Sequence, residues 1–188
     1  MGVVDAICTS LQSFGVNARM ADRGRPEEKT GKGFSLGIIA IADGPIPWVN
    51  VREVTMARPD GEVTTSYTDY GVKVAYRPPN ATITSVRRKT FPFLGRVIDA
   101  EWRAGGSERG SALVADVLRR LREDARVREA IMATRDVKIT EHPSFWIIST
   151  ETDKAPTRQA WDCYQAIAQH LIAAEGAGGT IQWDRIEV

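Results

Sequence analysis

The sequence is poor in the side chains that most metal and nucleophile chemistry needs. Its 188 residues hold two histidines, His142 and His170, and two cysteines, Cys8 and Cys163. No CxxC or HxxxH spacing occurs, so nothing matches a zinc site, and two distant cysteines make no disulfide framework. Net charge is lacking as well. With 25 basic and 24 acidic residues the formal charge is +1, so no global field draws the chain toward nucleic acid or an anionic membrane. "MGVVDAICTSLQ" has neither the basic start nor the long apolar core of a secretory signal, and Ala6 stands where N-myristoylation wants Ser or Thr. Together these absences lead to the expectation of a reduced, cytoplasmic setting and no membrane contact.

What is present is average globular material, 43% hydrophobic and 26% charged, enough for one domain over residues 1–188 with a possible sub-boundary near 104–110. Val4, Ile7, Leu11 and Phe14 recur at helical spacing, and Gly15 stops that helix. "VNARM" reads as a brief strand, and the breaker-rich segment 21–33 as a mobile loop. From Phe34 to Tyr76, β-branched and aromatic runs punctuated by Asp43-Gly44 and Pro59-Asp60-Gly61 read as successive antiparallel strands. A further hairpin spans 85–104. Leu113, Val114, Val117, Leu118 and Leu121 then share one helical face behind a Ser111 cap, and a second short helix starts at Asp124. Two strands flank Glu141-His142-Pro143, and a last helix begins near Thr157 and buries Trp161, Tyr164, Ile167 and Leu171. The tail, which contains Trp183, reads as a final strand. Strands without βαβ alternation give an α+β class: an antiparallel sheet of consecutive hairpins with three to four helices on it.

Each familiar catalytic pattern fails on spacing. "TGKGFSLG" lacks the four-residue gap of a phosphate loop and opens a strand where a dinucleotide fingerprint would open a helix. Cys163 and His170 are seven helical residues apart, a rise of about 10 Å, too far for a thiolate-imidazole pair. Ser144 and Ser149 near His142 lack a nucleophile elbow. The remaining catalytic candidates are Asp99 and Glu101, which share one side of a strand as nuclease-type metal carboxylates do, and His142, a weak acid-base candidate beside Glu141. No resident metal and no cofactor are expected.

Candidate binding residues are Arg87, Arg88 and Lys89, which stand near Phe91 and Phe93, and the tryptophans Trp102, Trp146 and Trp161, which with Tyr164 are able to line a cleft for a flat ligand. Matching apolar to apolar across the hairpin places Val86 and Arg88 with Ile98 and Trp102 on a packed face. It places Arg87 and Lys89 opposite Asp99 and Glu101 on a charge-paired face. The reading supported best is a non-catalytic interaction protein that self-associates or binds a protein partner, using an exposed sheet edge. Alternatives are a metal-dependent phosphodiester hydrolase built on Asp99 and Glu101, and a non-catalytic nucleic-acid-binding module built on the basic hairpin. Whether the chain is an enzyme stays open at this level.

Overall fold

The computed structural model describes residues 2–59, 61–75, 78–89, 97–134, 136–152 and 154–178. Eight strands form one antiparallel sheet in the order β1-β2-β3-β4-β8-β7-β5-β6. They are β1 (Ala18–Met20), β2 (Phe34–Ile41), β3 (Trp48–Arg58), β4 (Gly61–Lys73), β5 (Thr82–Lys89), β6 (Val97–Gly105), β7 (Lys138–His142) and β8 (Phe145–Glu151). The helices are α1 (Val3–Ser13), α2 (Ala112–Glu123), α3 (Ala125–Ala133) and α4 (Arg158–Gly178). This is the expected α+β class, with one departure from consecutive hairpins. The β7–β8 hairpin, from beyond residues 104–110, inserts between β4 and β5, so the C-terminal third of the chain completes the middle of the sheet.

Alternation along the strands decides where the core lies. Ile39, Ile41, Val49, Val51, Tyr70, Val72, Ile148, Ile139, Ile83 and Trp102 all project to one face and are buried there. Helix α1 covers β1 and β2, α4 covers β4 and β8, and α2 and α3 cover β6. From α1 come Val4, Ile7 and Leu11, and from α4 Trp161, Tyr164, Ile167, Ala168 and Leu171. The ring of Tyr70 packs 4.4 Å from that of Tyr164 and 6.2 Å from that of Trp161, centroid to centroid. Opposite residues face the other way, onto a side with no α-helix among the described residues. There Ile38, Trp48, Ile147 and Phe145 form a small second apolar cluster. Gly71 is required for it, because a Cβ at that position would come within 2.1 Å of the Trp48 indole lying on it.

The expected capping residues are in place. Ser111 Oγ accepts from the Val114 N–H at 3.4 Å, and Asp124 accepts from the N–H groups of Arg126 and Val127. Segment 21–33, read above as mobile, contains a 3-10 turn at Pro26–Lys29 and is held to the helix-free face. Asn50 Nδ2 donates to Glu27 O at 3.0 Å, and Arg52 Nη1 to Lys32 O at 2.7 Å. His170, too far along α4 to activate Cys163, pairs with Asp124 at 2.9 Å and ties α4 to the start of α3. The hairpin tip with Phe91 and Phe93, and the tail with Trp183, lie outside the described residues.

Burial pushes the Asp124 carboxyl up, but hydrogen bonds from His170, Arg126 and two backbone N–H groups outweigh it and hold the group down at about 2. A folded pKa below the unfolded one means that the stabilisation is present above the ordinary carboxylate pKa of about 4 and is lost as pH falls toward the folded value. Asp124→Ala is expected to cost about 1–2 kcal/mol at neutral pH in urea denaturation. The variant should also lose less stability than the unsubstituted chain between about pH 4 and pH 2.

Candidate functional site

Strand β7 has five residues, whereas its neighbours β8 and β5 have seven and eight. Lys138 pairs with Ser149 on one side and with Thr84 on the other. Beyond it β7 ends, with Val137 still bonded to Ser85, and among the described residues Thr150 and Glu151 of β8 stand across a notch in the sheet from Arg87 of β5. The notch opens into a cavity of about 800 Å³ on the helix-free side. One flank carries Tyr67, Asp69, Ser149 and Glu151, the other Thr84 and Arg87. Thr134, Asp136 and Val137 close the back, and Lys32, Arg52 and Val54 close the far end.

The floor is a buried ion pair. Asp69 is 0% exposed, and Arg52 grips its carboxylate with Nε at 2.5 Å and Nη2 at 3.2 Å. Ser149 Oγ donates to the same carboxylate at 2.6 Å. Arg52 is held further by Lys32 O and by the Tyr67 ring, whose centroid lies 4.8 Å from its guanidinium carbon. A carboxylate with both oxygens satisfied and a planar fork fixed by a carbonyl and a ring make a pre-organised polar surface. Arg87, at the opposite flank, donates to Asp136 at 3.0 Å and to the Thr134 carbonyl. Lys32 and Lys138 have no ion-pair partner among the described residues.

The residues expected from sequence are placed differently. Trp102, Trp146 and Trp161 are buried with Tyr164 in the helix–sheet core, so they are spent in packing and do not line an open cleft. The β5–β6 register also differs by one residue from the apolar matching. Ser85 pairs with Trp102, Arg87 with Ala100, and Arg88 with Asp99. Ile83 sets this phase, buried against Ile139, and buried Ser85 is satisfied in it by exchanging hydrogen bonds with Val137 at 2.9 and 2.7 Å. Val86 and Arg88 therefore share the helix-free face with Asp99 and Glu101, and Arg87 turns to the helix side. Lys89 is exposed at the bulge that ends the pairing.

Asp99 and Glu101 are held by arginines. Glu101 meets Arg88 at 3.0 Å and Arg103 at 3.3 Å. Asp99 accepts from the Ala100 N–H at 2.7 Å and from Arg128 at 2.9 Å, and the Ala100 bond, followed by that of Arg128, lowers its pKa. No three His, Cys, Asp or Glu side chains gather into a metal-holding group among the described residues. Ser149 has found a carboxylate but no imidazole. His142 stands four residues further along β7, about 13 Å away at the usual strand rise, with its ring 5.9 Å from Phe145.

On both sides of the sheet, side chains take some of the backbone groups that an edge would offer. In an antiparallel edge strand alternate residues turn their N–H and C=O groups outward. On β6 the Ala100 N–H is taken by Asp99 and the Trp102 carbonyl by Arg122 Nη2 at 3.0 Å. On the part of β2 that β1 does not reach, Arg23 donates to the carbonyls of Ser35, at 3.1 Å, and Leu36. An antiparallel second copy centred on Glu101 would need Ala100 N–H to meet Trp102 C=O, the two groups already capped.

No family model matches the chain, and comparison with curated proteins and with solved structures found no match. The site therefore stands on its own geometry.

Removing one partner of a buried pair leaves an uncompensated charge, so Arg52→Ala should lower stability by about 3–5 kcal/mol in urea denaturation. At the β6 edge, Asp99→Ala combined with Arg122→Ala frees one donor and one acceptor. Light scattering over a concentration series should show this variant forming dimers at concentrations where the unsubstituted chain shows less association.

Proposed function

We propose that the chain is a non-catalytic interaction protein whose protein partner lies on the helix-free face of the sheet, over the notch beside β7. The observation that carries this reading is the cavity of about 800 Å³ floored by the Arg52–Asp69–Ser149 constellation. Its polar groups are fixed in place yet arranged for contact. The Ser149 hydroxyl is spent on a carboxylate, which suits a rigid floor better than a nucleophile. The capped edges support placing the partner on this face instead of on a terminal strand.

Tyr67, on the notch flank, is replaced by a photo-crosslinking aromatic that keeps a ring beside Arg52. Glu123 on α2 provides the helix-side control. Irradiation in an extract of the cells that make the protein should give a discrete adduct from position 67 and none from position 123. Equal labelling at both positions, or none at position 67, would overturn the proposal.

A further inference from the structure

We infer that the segment of the partner seated in the notch is an extended, acidic stretch whose apolar residues rest on the β3–β4 arm. This deepens the function proposed above and rests on it. Two features carry the inference, one electrostatic and one apolar.

The cavity is lined by four cations, Lys32, Arg52, Arg87 and Lys138, and three carboxylates, Asp69, Asp136 and Glu151. Asp69 is committed to Arg52 and Asp136 to Arg87. What remains without an ion-pair partner among the described residues is Lys32 and Lys138. Lys32 and Lys138 are both exposed, and they stand on different walls, one on the loop before β2 and one at the start of β7. Carboxylates of an incoming chain are attracted by both, while the fixed guanidinium of Arg52 adds donors between them. The hydroxyls of Thr84 and Thr140 supply neutral partners for an extended backbone.

The β3–β4 hairpin runs past the rest of the sheet. Pairing of β3 with β2 stops at Glu53, and pairing of β4 with β8 at Tyr67, while the hairpin itself continues to Arg58 and Gly61. In the body of the sheet, β3 and β4 send Val49, Val51, Tyr70 and Val72 to the helices. In the arm the polarity is inverted. Val54, Met56 and Val63 lie on the helix-free side, and the hydrogen-bonded Thr55 and Thr64 lie on the other. Met56 is 42% exposed, and Val54 lines the cavity, so the apolar strip is continuous with the charged notch. Among the described residues no helix packs on this side of the arm, so its tip gains no core from such a pattern. A chain with alternating side chains, acidic ones into the notch and apolar ones onto Val54, Met56 and Val63, satisfies both surfaces at once.

The test uses the Tyr67 adduct of the full chain. Lys32→Glu with Lys138→Glu should cut adduct yield by about tenfold, whereas Lys32→Arg with Lys138→Arg should retain it. Poly-glutamate should compete for the adduct and uncharged poly-proline should not. An adduct that persists through charge reversal, or that yields equally to both polymers, overturns the acidic segment while leaving the binding face in place. Absence of any adduct at position 67 removes the binding face itself.

Discussion

One-sided alternation governs this molecule. Every second side chain of the central strands is sent to a single layer of four helices, and the hydrophobic effect is concentrated there. The sheet is then free to carry polar and charged groups on its other face without loss of core. That freedom is what permits Asn50, Asp69 and Ser149 to be buried polar residues, because each of them finds a hydrogen-bond partner. The same constraint decides the fate of the tryptophans. Three of the four in described strands and helices, Trp102, Trp146 and Trp161, fall on the helix side and are consumed in packing, while Trp48 alone falls on the open face, above Gly71.

The buried ion pair gains its position from this arrangement. Arg52 and Asp69 sit diagonally across β3 and β4, in the register that pairs Arg58 with Gly61. Their mutual attraction offsets desolvation only because Ser149, Lys32 and Tyr67 supply the remaining contacts. Segment 21–33 is thereby folded back over the open face, with Asn50 and Arg52 holding its carbonyls. Polar chemistry thus does on this face what apolar contact does on the other.

Much of the fold was legible in the sequence, since helical spacing and cap residues such as Ser111 and Asp124 are local signals. What local signals do not carry is sheet order. Nothing in "DVKITEHPSFWIISTE" announces that it enters between β4 and β5, and without that insertion neither the notch nor the Ser149–Asp69 bond exists. The β5–β6 register was misread for a related reason. Val86 competes with Ile83 for the core, and the choice is made by β7, through Ile139 and Val137, residues some fifty positions away in the chain. Arg52 and Asp69 were legible in principle, because the Pro59-Asp60-Gly61 turn fixes which residues of that hairpin face one another.

The shortness of β7 has a mechanical side. Among the described residues three strand pairs, Thr82 with Thr140, Ile83 with Ile139 and Thr84 with Lys138, and the Ser85–Val137 bonds next to them join the β5–β6 hairpin to the rest of the sheet. Elsewhere neighbouring long strands are sewn together along most of their length, as β3 and β4 are through eleven pairs. The seam beside the notch is the narrowest join between two larger blocks, and any flexing of the sheet concentrates there. Ile83 and Ile139, fully buried at its centre, act as the rivet that sets how far the two lips of the notch stand apart.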